Sequence, residues 1–139
     1  MSVFTEQEIE YLGTQRLGRL ATIDSAGNPH VVPVGFRYNP TTDTIDIGGH
    51  GIAQSRKWAH AAAHPRVAFV VDDVLPPWRP RFVEIKAEVE LLPSGGQDIN
   101  AHFAPEMMRL RPVRIATFGL EPGGSPVGPG GIATRKAAK

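Results

Sequence analysis

The stretch FVEIKAEVEL, Phe82 to Leu91, decides the fold class: Val83, Ile85, Ala87, Val89 and Leu91 alternate with Glu84, Lys86, Glu88 and Glu90. Side chains of a β-strand point to opposite faces in turn, so this period of two predicts a strand with one dry and one wet side. Working outward, the proline-rich corner Pro76, Pro77, Trp78, Arg79, Pro80 precedes it, and before that Val67 to Val71 (VAFVV) forms an unbroken apolar run. That run is short and β-branched, which predicts a central strand covered on both faces.

Toward the N-terminus the same signals repeat. Leu17 to Asp24 reads as a strand, Ser25 to Pro29 as a turn and His30 to Tyr38 as the returning arm of a hairpin. Asn39 to Asp43 makes a further turn, and Ile45 and Ile47 mark a third strand. Thr5 and Glu8 have capping-box spacing, with Ile9 and Leu12 on one side of the short helix they start and Gly13 at its end. After Gly48, Gly49, His50 and Gly51 the alanine-rich segment Ile52 to Ala63 predicts a helix, stopped by Pro65. Ser94 to Gly96 turn the chain into a short helical or irregular piece around Ile99 to Met108, and Val113 to Leu120 supplies a last strand. Most connections are too short for parallel crossovers. The expectation from the pattern is therefore an all-β chain with short helices over residues 1–121, about six strands in a closed or split antiparallel barrel. Residues 122–139, rich in glycine and proline and then basic, are expected to form a mobile tail or to lie across a partner subunit.

Composition narrows the function. With 139 residues one core is expected. The 15 basic and 14 acidic side chains nearly cancel, which argues against a specific nucleic-acid partner. No apolar stretch approaches a membrane span and no signal-peptide pattern opens the chain, so no membrane role and a cytoplasmic location are expected. There is no cysteine, which leaves no disulfide and no thiolate chemistry; any redox role needs a borrowed cofactor.

Several segments can carry chemistry. The glycine cluster before a helix bearing Arg56 and Lys57 suits a phosphate group, since close approach, exposed N–H groups and fixed positive charge fall together; an ordinary turn with a solvated basic face fits the same residues. Pro33 removes a ladder hydrogen bond and is expected at a strand edge, where a flat ring can lie against the neighbouring valines or where nothing binds at all. Trp78 with Arg79 and Arg81 can stack on a ring or anchor a subunit interface. His60 and His64 have the four-residue spacing of a metal pair, but no third ligand stands out and no metal site is assigned. Asp72 and Asp73 are neighbours on a strand, so they point apart and cannot act as an acid–base pair.

GRLATIDSAGNPHVVPVGF (Gly18 to Phe36), the GGH and SRK stretches, PWRPRFVEIKAEVELL (Pro77 to Leu92) and RLRPVRIATFGL (Arg109 to Leu120) together resemble the pyridoxamine-5'-phosphate-oxidase-like split-barrel superfamily, and within it the flavin/deazaflavin-dependent oxidoreductases. The resemblance implies a six-stranded antiparallel split barrel, a homodimer with two cofactor sites between the subunits and a small-molecule substrate. It implies that Arg56 and Lys57 hold the cofactor phosphate, with Gly49, His50 and Ser55 lining that end. Val32, Pro33, Val34 and Gly35 would lie along the tricyclic ring, and Trp78, Arg79 and Pro80 would reach in from the partner. Phe82 stands where relatives often have glycine, and Phe118 where tryptophan is common. The implied activity is hydride transfer between the deazaflavin coenzyme F420 and a conjugated or heteroaromatic substrate. The alternatives are a flavin mononucleotide enzyme acting like pyridoxamine phosphate oxidase, and a carrier or sensor that holds the cofactor without turnover. No catalytic acid is assigned; His30, Tyr38 and solvent remain open.

Overall fold

The computed structural model describes residues 1–120 and 129–137. Helix α1 (Glu6–Gly13) is followed by strands β1 (Leu17–Ile23), β2 (Pro29–Asn39) and β3 (Thr44–Gly48), a 3₁₀ turn at Ile52–Gln54, and helix α2 (Arg56–Ala63). Strands β4 (Arg66–Leu75) and β5 (Arg79–Leu92), the one-turn helix α3 (Gly96–Ile99), and strands β6 (Met107–Phe118) and β7 (Ala133–Lys136) complete the chain. The strand order is β3-β2-β1-β4-β5-β6-β7, and a further pairing of β3 with β6 closes the first six into a barrel. Every pairing is antiparallel.

The alternation in Phe82–Leu91 sets which side of β5 enters the barrel. Val83, Ile85 and Ala87 are buried inside, while Lys86, Glu88 and Glu90 are exposed. Phe69 of β4 fills the middle of the core and meets Phe36 edge-on at 5.3 Å between centroids. It lies so close to β1 that a Cβ on Gly18 would fall 2.2 Å from its Cζ, so only a residue without a side chain fits there. The capping box forms as expected: Thr5 accepts from the Glu8 N–H and Glu8 accepts from the Thr5 N–H.

Three expectations are corrected. The apolar run of β4 is not covered on both faces: Val67, Phe69 and Val71 are buried, whereas Ala68 and Val70 on the outer side are only half-buried. A closed barrel has one interior, and the second face of each strand must look outward. The last barrel strand begins at Met107, not Val113. Pro112 is tolerated inside it because the β5–β6 register slips between Lys86 and Ala87, pairing Lys86 with Arg114 and Ala87 with Pro112; Val113 is the extra residue, bulged out and 48% exposed. Finally, the tail reading fails over its last part. Ala133–Lys136 pair with Arg114–Thr117 of β6, and Arg135 donates to both carboxylate oxygens of Glu8 and to the Val3 carbonyl. Pro129–Gly131 form a 3₁₀ turn ahead of that strand, and the remaining tail positions, 122–128 and 138–139, lie outside the described residues.

Candidate functional site

Two open features of the barrel meet on one side. Strand β2 runs past its neighbour: its ladder with β3 covers Gly35 to Asn39, while Pro29 to Val34 pair with β1 alone. The hairpin begins with the Asp24 N–H donating to the Asn28 carbonyl. Antiparallel ladders alternate bonded and non-bonded pairs, so Ile23–Pro29, Ala21–Val31 and Arg19–Pro33 are all non-bonded pairs. The ring of Pro33 therefore replaces an N–H that would point to the open edge, where proline costs the sheet nothing. Val31, Val32 and Pro33 are exposed along this edge. Val34 is not: its side chain is buried in the core at 5% exposure, so it can offer a ligand only its backbone, which corrects the expectation for that side chain.

The second feature is the start of α2. Gly51 takes a left-handed conformation (φ 60°) that turns the chain out of β3, and Ser55 caps the helix, donating to the Ile52 carbonyl and accepting from the Trp58 N–H. Ser55 is thus committed to the helix start. Arg56 and Lys57 occupy the first turn with no acidic residue beside them, where the helix dipole disfavours cations. Neither has an ion-pair partner among the described residues. Two unpaired cations held against a positive helix end are an arrangement that an anion would relieve.

The recess between these features is lined by Thr22, His30, Val32, Arg56, Lys57 and His60 and encloses about 190 Å³. Whole ligand pockets are typically ~300–1,000 Å³, so the recess by itself is smaller than a complete site for a drug-sized ligand. Of the residues picked out from sequence, Val32, Arg56 and Lys57 meet here. Gly49 sits at the β3 exit, its carbonyl accepting from Ala104, and His50 packs edge-on against Phe103 at 5.5 Å. Trp78, Arg79 and Pro80 lie at the β4–β5 turn and do not line the recess within one chain; Trp78 is 75% exposed.

Sequence reasoning missed Thr22 entirely and weighed His60 only beside His64, assigning the pair no site. His64 is exposed at the helix end, whereas His60 pairs through Nδ1 with Thr22 Oγ1 at 2.9 Å and packs at a tilt against His30, 4.5 Å between centroids. The signal was present in the tight turn at Ser25–Asn28, whose register sets Thr22 opposite His30. Among the described residues no group of three or more histidine or acidic side chains is placed to hold a metal. Asp72 and Asp73 point apart as expected, Asp72 to Arg19 and Asp73 to Arg81, Tyr11 and Gln15.

Comparison with known proteins places this geometry. The pyridoxamine 5'-phosphate oxidase family matches over residues 4–115. A 5a,11a-dehydrotetracycline/5a,11a-dehydrooxytetracycline reductase of Streptomyces rimosus subsp. rimosus is 46% identical over 120 residues, covering 85% of this chain and 84% of that one. Among solved structures, a conserved hypothetical protein of Mycobacterium tuberculosis superposes with a TM-score of 0.68 at 19% identity, covering 84% of this chain and 85% of its own. An FAD-binding protein of Mesorhizobium loti gives 0.62 at 21% identity, with 82% and 94% covered. At such identities the structures speak for the fold alone. The barrel, opened along β2 and flanked by a short basic helix, is that of the flavin-binding split barrels. By sequence the chain belongs to the pyridoxamine 5'-phosphate oxidase family, and it is an oxidoreductase.

Proposed function

We propose that the protein is a homodimeric reductase using the deazaflavin coenzyme F420, with flavin mononucleotide as the alternative cofactor. The observation that carries this is the unpaired Arg56–Lys57 pair beside the open edge of β2: fixed positive charge for a phosphate and a flat, partly apolar backbone rim for a ring. In this reading Arg56 and Lys57 hold the phosphate, Gly49, His50 and Ser55 border it, and the ring lies along Val32, Pro33, Val34 and Gly35. Trp78, Arg79 and Pro80 of a second copy complete the site. The small volume of the recess supports a site shared between copies, as does the apolar exposure of Leu17, Ile23, Val31 and Val113 on the outer wall. The cofactor, when bound, supplies the hydride; the protein contributes position and exclusion of water. The 46% identical reductase acts on a dehydrotetracycline, which supports a polycyclic substrate with a conjugated carbon–carbon double bond as the acceptor.

Side-by-side fluorescence titration with F420 and flavin mononucleotide tests the reading. One should bind in the micromolar range or tighter, and Lys57→Ala should weaken it by ~1.5–3 kcal/mol, the scale of a hydrogen bond to a charged group. Unchanged affinity in Lys57→Ala removes that residue from the site. Turnover of the reduced cofactor with conjugated acceptors separates an enzyme from a carrier, which would bind without substrate-dependent oxidation.

A further inference from the structure

We propose that His30 and His60 are further anion-binding residues of the recess, and that they take up a proton when an oxyanion such as a phosphate ester settles between them and Arg56 and Lys57. The inference rests on the reading of the recess as the phosphate end of the cofactor site, and adds a component which that reading does not contain.

Four observations carry it. The two imidazoles pack against each other in a tilted arrangement, centroids 4.5 Å and planes 43° apart, and both line the recess with Arg56 and Lys57. His60 uses Nδ1 on the Thr22 hydroxyl, a residue only 3% exposed, which fixes the ring and leaves Nε2 without a partner among the described residues. His30 uses Nε2 on Asp24 Oδ2 at 3.3 Å and leaves Nδ1 without one. Asp24 is itself held as a carboxylate: hydrogen bonds led by the Asn28 backbone N–H, and joined by His30 and Ala26, outweigh the opposing effect of burial and keep its carboxyl at about 2. A carboxylate can only accept, so the Nε2 of His30 is the donor in that pair. Each ring is therefore oriented by one nitrogen and has the other free.

The charge balance then sets the direction. From α2 the pair faces Arg56 and Lys57, and from the β1–β2 turn Asp24; Arg66, Lys86, Glu88 and Arg114 line the adjoining groove that shares Thr22. Without a ligand, protonating both rings would put two cations 4.5 Å apart beside two more, with one carboxylate to compensate. An oxyanion in the recess reverses that: it turns the free nitrogens into donors with an acceptor in reach, so binding and protonation favour each other.

Sodium sulfate is the probe, because its charge does not change near neutral pH and it carries no ring. Unbuffered full-length protein, held at constant pH near neutrality, is titrated with sulfate and, at matched ionic strength, with sodium chloride. Sulfate should draw in a measurable fraction of a proton per chain that chloride does not. That excess should vanish in Arg56→Ala, an exposed site where folding is not at stake, and in His30→Gln/His60→Gln. Imidazole nitrogen NMR should show the change on His30 and His60 and not on His64 or His102. Equal uptake in sulfate and chloride overturns the inference, and so does an excess that persists in the double histidine variant. Failure of the cofactor reading looks different: sulfate draws in the proton, yet neither F420 nor flavin mononucleotide binds.

Discussion

Arg135→Leu isolates the contact that ties the end of the chain to its beginning. Glu8 is 2% exposed, and its carboxylate accepts from both terminal nitrogens of Arg135, from the Thr117 hydroxyl at 2.6 Å and from the Thr5 N–H at 2.9 Å. Burial alone would push this carboxyl up, but the hydrogen bonds of Arg135, Thr117 and Thr5 outweigh it and hold it below its ordinary value. Removing the guanidinium leaves a buried charge with two of its four hydrogen bonds, and breaking such a pair costs about 3–5 kcal/mol. Arg135 is 25% exposed, so water softens the loss and the lower end, about 3 kcal/mol at neutral pH, is expected. Urea unfolding of wild type and variant measures it. The pH dependence supplies a second check. A depressed carboxyl stabilises the native state above its unfolded value, near 4.5, and that contribution fades as pH falls through the lower folded value. In Arg135→Leu the lowering by the guanidinium is lost, the folded value moves up, and the stabilisation this carboxyl supplies above its unfolded value is reduced. The difference between the two proteins should therefore shrink at pH ~4. A loss below about 1 kcal/mol at neutral pH, or the same loss in acid, would refute the assignment of Arg135 as the counterion of a buried charge.

Gly18→Ala should destabilise the fold by roughly 1–3 kcal/mol in urea unfolding, because its Cβ falls 2.2 Å from the Phe69 ring and the ring must move. Thr5→Ala removes the cap of α1 and should lose about 1 kcal/mol in the same assay. Asp46→Asn leaves Arg109, which donates to both of its oxygens, without its counterion in the buried seam; unfolding should come at lower urea, and the effect should diminish in acid, since Arg109, Asn39 and Thr44 hold the Asp46 carboxyl below its ordinary value against burial. Trp78→Ala should change chain stability by less than about 0.5 kcal/mol, the residue being 75% exposed, while weakening cofactor binding measured by fluorescence.

What the sequence made legible follows from where its information is local. Phe82–Leu91 carries its period in ten adjacent residues, and Thr5 finds Glu8 one helical turn away, so both were readable. The burial of β4 was misread because VAFVV lacks a polar alternate, and a solvent-facing alanine or valine looks like a core residue in a one-dimensional pattern. Partners far apart in sequence were out of reach. Asp46 meets Arg109 across the β3–β6 seam and Glu8 meets Arg135 across nearly the whole chain, and nothing in the neighbourhood of either carboxylate announces a distant guanidinium. In the recess, Arg56 and Lys57 were found by residue type and position at a helix start. Thr22 and His60 come together through a hairpin register and a helix packed on it, which no spacing along the chain encodes.

The grip of Arg135 on Glu8 and on the Val3 carbonyl also has a topological consequence. It brings the opening segment and the closing strand side by side, so a short linker could join them and new ends could be cut at the exposed hairpin tip around Ser25–Asn28. Such a circular permutant would keep each strand pairing of the barrel while moving its free ends to the rim of the recess, a convenient place to attach a reporter.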